Sequence, residues 1–296
     1  MARLQNAIEY GAYRFFEGLI SLMPDSWLPY LARGMGRLLF GVLRVRRDVA
    51  LTNLAQAFPE KTEEEREKIA FNSYCHFAGL IFEFMKQSRR RPEQLEKMIT
   101  IETPEAVEKY LSDERGIILV AAHFGNWELG IARLATGWKP ASVVQKRQRN
   151  RKIDDRMARV RKQWNMEIIY SRGAVNRARQ ALRQNRIVGM LADQDAGRRG
   201  IFVPFLNRLA STPGGAAALH LRSGVPIVFA YTIQEGNFKY RLGIVPIAYN
   251  GECRPTRENV TRITAEFTKI LESFVRKYPE QYFWMHRRWK SRPSQE

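Results

Sequence analysis

Gly116-Ile117-Ile118-Leu119-Val120-Ala121-Ala122-His123-Phe124-Gly125-Asn126-Trp127-Glu128 is the stretch on which the fold turns. Its first seven residues form a short apolar run, the pattern of a strand buried on both faces of a sheet. Gly125 then supplies a turn. Asn126 is a preferred helix N-cap, so a helix opens there with Glu128 in its first turn. Strand, turn and helix in this order make the repeating unit of an α/β sheet, and ligands collect at the carboxyl ends of such strands. His123 falls at that end.

Similar apolar runs occur at Ile187-Val188-Gly189-Met190-Leu191-Ala192 and at Val225 to Tyr231, with a more alternating segment from Tyr240 to Ala248. Helical patterns lie between them at 126–136, 151–164, 174–185, 213–222 and 256–278. The expected fold is α/β, a mixed and mostly parallel sheet flanked by helices. Residues 1–110 read mostly as helix. Thr62 and Glu65 have capping-box spacing, and Pro59 and Pro92 mark breaks. No internal repeat, low-complexity tract or linker divides the chain. We therefore expect one catalytic unit over 51–296 behind a helical extension at 1–50.

In that extension Glu17, Asp25 and Arg33, with Pro24 and Pro29, interrupt any run of the about 20 apolar residues that crosses a bilayer. The start also lacks the pattern of a secretory signal. Leu31, Met35, Leu38, Val42 and Val45 instead recur at helical spacing, with Arg33, Arg37 and Arg44 opposite and Arg46 and Arg47 following. Such a stripe either packs on the core or lies in a lipid interface. The composition tips the reading towards an anionic membrane surface: 49 Lys+Arg against 30 Asp+Glu give a formal charge of +19. At 45% hydrophobic and 27% charged residues, the chain is neither disordered nor many-spanning. Cys75 and Cys253 stand alone, which excludes a disulfide framework and a CxxC centre and fits a reducing compartment.

His123 and Glu128 are the candidate catalytic pair. Five residues apart on one continuous helix, they would diverge by about 140°; the turn at Gly125 lets them meet. A carboxylate there would hold the imidazole tautomer and stabilise its protonated form, leaving the second nitrogen as a general base. The plainer alternative is a histidine satisfied at a strand end. No HExxH motif or Cys/His set suggests zinc, and no GxSxG elbow supplies a nucleophile. Any acyl transfer would be direct, with the acceptor hydroxyl attacking. Amides near Gly125 and Asn126 could receive the developing oxyanion. Trp127, Phe202 and Phe205 either line an apolar groove or belong to the core. Ser211-Thr212-Pro213-Gly214-Gly215 reads as a helix cap with proline in the first turn. His76, His220 and His286 read as structural.

The His-Phe-Gly-Asn-Trp-Glu segment resembles the H-x4-D/E motif of the lysophospholipid and glycerolipid acyltransferase superfamily. More narrowly, it is similar to the lauroyl/myristoyl acyltransferases of lipid A biosynthesis. Asn53-Leu54 with Ala57-Phe58-Pro59-Glu60 resembles that family's N-terminal block, and Asn150, Asp154 and Arg161 its central one. Asp193-Gln194-Asp195, Phe202 to Phe205 and Thr212 resemble the next block, and Trp284 with His286 to Pro293 the last. The resemblance implies a glycerolipid-acyltransferase-like fold and secondary acylation of a lipid A precursor. The donor would be an acyl-carrier-protein thioester, with no further cofactor and no metal, at the cytoplasmic face of the bacterial inner membrane. His123 and Glu128 would be catalytic. Asn126, Lys146, Arg147, Asn150, Arg161, Arg172, Asp193 and Asp195 would bind substrate, with the two aspartates orienting arginines. Lys146 stands where the family often has arginine, and Arg151 where it has proline, so the bidentate fork is lost at the first position.

Three other readings bear on the same residues. The same chemistry could act on a lysophospholipid or a glycosylated lipid. The basic stretch from Lys139 to Lys162 could serve nucleic acid, but only Trp164 stands near it for stacking, so no nucleic-acid partner is expected. An inert membrane adaptor would tolerate loss of His123.

Overall fold

The computed structural model describes residues 2–293; residues 1 and 294–296, at the ends of the two expected segments, lie outside the described residues. The chain opens with α1 (Ala2–Leu22), α2 (Leu28–Arg37), α3 (Arg47–Ala57) and α4 (Glu63–Gln87). α4 starts where its capping box lies: the Glu65 amide donates to Thr62 Oγ1 at 3.2 Å, and the Thr62 amide to Glu65 Oε2 at 2.7 Å. α2 runs on through a π-turn over Leu38–Val42. Its buried face is Leu28, Ala32, Gly36 and Phe40, whereas Leu38, Val42 and Val45 of the expected stripe are exposed. Backbone proximity explains the difference. A Cβ on Gly36 would stand 2.4 Å from Cys75 Sγ, so the face that meets α4 is the small-residue one.

There follow α5 (Pro92–Met98), β1 (Ile99–Ile101), α6 (Pro104–Leu111), β2 (Ile117–Ala121), α7 (Trp127–Gly137), β3 (Ala141–Gln145), α8 (Arg151–Gln163), β4 (Met166–Tyr170), α9 (Ala174–Arg183) and β5 (Ile187–Leu191). The remainder is β6 (Ile201–Phe205), β7 (Arg208–Thr212), α10 (Gly215–Ser223), β8 (Ile227–Gly236), β9 (Lys239–Pro246) and α11 (Arg257–Lys277). Seven strands form one mixed sheet in the order β1-β9-β8-β2-β5-β3-β4. Only β8 and β9 pair antiparallel within it; the other pairs are parallel. β6 and β7 make a separate hairpin, closed by Leu206 and Asn207 at positive φ, as the right-handed strand twist favours. Ser211 and Thr212 therefore end a strand. They do not cap α10, whose N-cap is Gly214.

Apolar layers cover both sheet faces. Ile117, Leu119 and Ala121 pack with α7 on one side, while Ile118 and Val120 pack with α9, α10 and α11 on the other. The segment after α11 sews the molecule together. Asn53 donates to the carbonyls of Trp284 and His286, and the buried Arg288 guanidinium donates to Ser211 O and Thr212 Oγ1. The Ser291 amide and hydroxyl donate to Asp195. Motifs far apart in sequence meet here, and their shared task is tertiary closure. No helix among the described residues is long and apolar enough to cross a membrane.

Candidate active site

β2 lies between β5 and β8. Ala121 is in register with Leu191 across the parallel β2–β5 pair, so the residues two further on, His123 and Asp193, leave the sheet side by side. His123 Nδ1 is 2.9 Å from Asp193 Oδ1. The carboxylate on the imidazole is thus Asp193, and the expectation that Glu128 orients His123 is corrected. Glu128 is instead gripped by the Arg161 guanidinium through two hydrogen bonds, one of them 3.1 Å from Nε, while Nη1 of the same arginine donates to Gln145 Oε1 at 2.6 Å. The reason is register. Glu128 has already turned onto the helix, while Asp193 stands on the neighbouring strand's end.

Burial disfavours a charged His123, but the Asp193 carboxylate, with Glu128 further off, outweighs it and raises the imidazole pKa above its ordinary value. Burial would likewise raise Asp193; His123 and Arg288 hold it below the usual carboxylate range. The loop carrying His123 is fixed from several sides. Gly125 has φ +56°, and a Cβ there would lie 1.9 Å from Thr232 O, so only glycine fits. The Gly125 amide donates to Gln281 O and the Asn126 amide to Thr232 O, both at 2.9 Å. These two amides are spoken for, which corrects their expected role as oxyanion donors. The first two amides of α7, those of Trp127 and Glu128, have no intrahelical acceptor by position.

Asn126 caps α7, accepting from the Leu129 amide at 3.1 Å, and its Nδ2 donates to Glu83. Glu83 is buried and also takes the Tyr240 hydroxyl. Burial pushes its pKa up to about 7 against these two hydrogen bonds and Arg90. Nothing in the sequence marked this residue; a glutamate among apolar helix positions was the only signal.

A cavity of about 550 Å³ opens beside His123. Its polar lining comes from the strand ends and beyond: His123, Gln145, Lys146 and Gln194, with Glu128 and Arg161. Two to five residues back along the same strands the lining turns apolar, through Leu119, Ala121, Val143, Gly189 and Leu191, with Ile131 of α7 and Leu242 of β9. Gly189 lets Ile131 pack down onto the strand, since a Cβ there would stand 2.5 Å from Ile131 Cδ1. Tyr13 of α1 and Phe84 of α4 also line it. The Trp127 ring sits edge-on to His123 with centroids 4.9 Å apart. Phe202 and Phe205 are not on this cavity; Phe205 is buried in the core against Trp289.

The other expected substrate contacts divide. Lys146 and Arg161 line the cavity. Arg147 covers the Tyr170 ring at 4.0 Å and reaches Asp154 at 3.9 Å. Asn150 caps α8 and ties it to α1, donating to Asn6 O and Glu9. Arg172 is exposed outside the cavity lining. Asp195 holds Ser291 and not an arginine. His76 is half-buried, held between Gly125 O and the Gln234 side chain, and desolvation lowers its pKa. Among the described residues no three His, Cys, Asp or Glu gather as a metal site.

The family described as "Bacterial lipid A biosynthesis acyltransferase" matches residues 3–291. A lipid A biosynthesis palmitoleoyltransferase of Escherichia coli (strain K12) is 29% identical over 282 residues, covering 92% of this chain and 87% of that protein. A lipid A biosynthesis lauroyltransferase of the same organism is 28% identical over 278 residues, covering 93% and 89%. A myristoyltransferase from it is 25% identical over 283 residues, covering 92% and 84%.

Proposed function

The chain belongs to the bacterial lipid A biosynthesis acyltransferase family, and from that premise we propose that it moves a fatty acyl chain from an acyl-carrier-protein thioester to a hydroxyl of a lipid A precursor. The observation that carries this reading is the His123–Asp193 pair at the polar end of an otherwise apolar cavity. With Nδ1 turned to Asp193, Nε2 is the nitrogen left for substrate. It takes the proton of the acceptor hydroxyl as the oxygen attacks the thioester carbonyl carbon. Asp193 stabilises the imidazolium that forms. As the tetrahedral intermediate collapses, the C–S bond breaks and the imidazolium returns the proton to the leaving thiolate. The acyl chain occupies the apolar depth. The amides of Trp127 and Glu128, at the positive end of α7, are the remaining backbone donors for the oxyanion. Glu128 contributes by holding Arg161 on the cavity wall, and Lys146 presents a cation to phosphate groups of either substrate.

Membrane contact at the cytoplasmic face of the inner membrane is supported by the surface. α1 exposes Leu4, Ile8, Phe15 and Leu22, α2 exposes Tyr30, and the chain carries a charge of +19. Apolar side chains in the interface combined with cations on anionic headgroups give stable peripheral binding. The test is His123→Ala, assayed with acyl-carrier-protein thioester and lipid A precursor. A positioned base contributes about 10²–10⁴-fold, so turnover should fall at least a hundredfold while membrane association persists. Near-wild-type turnover would overturn the reading.

A further inference from the structure

A second pocket, of about 260 Å³, lies on the opposite face of the sheet between α9 and α10. Ala178 and Leu219 wall it, Gly215 and Val175 stand at its upper end, and Arg222 closes the lower one. It shares Val144, Met190 and Leu191 with the larger cavity. These residues lie at the carboxyl ends of β3 and β5, so they are a common wall of the two spaces at the sheet edge from which His123 and Asp193 emerge. α9 follows β4 and therefore begins at that edge; α10 leads into the parallel strand β8 and so begins there too. The pocket thus runs inward from the reaction edge. From Gly215 to Arg222 it extends about 10 Å, at 1.5 Å per helical residue.

We propose that this pocket binds an acyl chain already carried by the acceptor lipid, so that donor and acceptor chains lie on opposite faces of the sheet and meet at the edge beside His123. The inference rests on the acyltransferase reading above. Three observations commit it to that occupant. The lining is apolar apart from Ser171 and Arg222 and smaller than the 300–1,000 Å³ of typical small-molecule sites, which suits a length of alkyl chain and not a headgroup. The pocket shares a wall with the donor cavity at the reacting edge, where the acceptor must be. Arg172, exposed next to Ser171 at the upper end, supplies a cation for the anionic headgroup outside the pocket. This gives the small residues of Pro213-Gly214-Gly215 a use, since a Cβ on Gly215 would meet no heavy atom within 4 Å and the backbone leaves the entrance open.

Two variants fill the entrance without crowding the fold: Gly215→Phe and Val175→Trp, the latter at an exposed position. Each is to be compared with wild type for thermal stability, for transfer kinetics, and for hydrolysis of the thioester without acceptor. We expect the KM for the lipid A precursor to rise about tenfold or more, with the donor KM and acceptor-free hydrolysis unchanged within twofold. An unchanged acceptor KM in both folded variants, or a parallel rise in donor KM, overturns the proposal. A lipid A precursor bearing a diazirine on an acyl chain gives a readout independent of turnover. Photolabel on α9 or α10 supports the pocket, even if wild type proves to transfer no acyl group and the functional reading falls. Label confined to α7 and α4 overturns it.

Discussion

A histidine that takes a proton from an alcohol must be neutral before the step and cationic during it, so the charge beside it sets both its rate and its pH range. At His123 that charge is Asp193, 2.9 Å away and buried. Asp193→Asn keeps the shape and removes the charge. The imidazole pKa, raised in the wild type despite burial, then falls. In the wild type the acid limb of kcat/KM should lie above the ordinary imidazole value of about 6.5; in the variant it should move to lower pH, with the plateau reduced about 10²-fold or more. Glu128→Gln should behave differently. It frees Arg161 from the cavity wall, so KM should rise while the acid limb moves little. A pH–rate profile of both variants checks this, and equal displacement of the two limbs would return the orienting role to Glu128. Both residues were visible in the sequence, His123 directly after one apolar run and Asp193 directly after another. Their pairing was not, because it depends on β5 lying beside β2, a long-range strand order that no local pattern encodes.

Elements legible in the sequence were those with a strong local pattern. The helices from α7 to α11 fall within a few residues of their expected limits, and the capping box before α4 forms as spaced. β1 has only three residues, and in β3, β4, β6 and β7 polar residues or proline (Ser142, Gln145, Glu167, Pro204, Arg208) break the apolar run; these five were missed, whereas β2 and β5, no longer than the last four, are continuous apolar runs. Along α2 and the turn after it, Leu38, Val42 and Val45 of the readable apolar stripe face outward, one of the two arrangements the sequence left open, because Ala32 and Gly36 approach α4 more closely. The start of α7 depends on a carboxyl group from α4. Glu83 holds Asn126, and Asn126 caps the helix that bears Trp127 and Glu128. Burial lifts Glu83 to about 7, so the folded state favours its neutral form. The sign follows by linkage: the contribution to stability is complete below the unfolded value of about 4.3 and is lost as pH rises through about 7. Glu83→Gln copies the neutral acid and does not titrate. The melting temperature of wild type relative to this variant should therefore drop between pH 5 and pH 8, by several degrees for a change of a few kcal/mol. A difference that stays constant with pH would show that Glu83 remains ionised in the fold.

On the scale of the molecule the arrangement of α1 is inverted relative to an ordinary surface helix. Its inward side is largely polar, with Ile20 buried beside it: Glu17, 2% exposed, accepts from Arg156 and Arg14, and Glu9 accepts from Asn150. Its outward side carries Leu4, Ile8, Phe15, Phe16, Leu19 and Leu22, with Phe15 at 67% and Leu22 at 70% exposure. Composition made the positive charge legible, but the direction of this face is set by Arg156 and Asn150, which lie far along the chain. An apolar face of this kind beside a strongly cationic surface binds lipid through two forces with different sensitivities. Salt screens the headgroup attraction over a Debye length of about 10 Å at 0.1 M but leaves hydrophobic insertion in place. High salt alone should leave the protein on membranes, and high salt with mild detergent should release it. Replacing Phe15 and Leu19 with serine should permit release by salt alone, with the melting temperature little changed because exposed side chains surrender little packing. Sedimentation of the wild type and the double variant under the three conditions decides the matter. Clean release of the wild type by salt would mean that α1 never enters the interface and that charge alone holds the protein there.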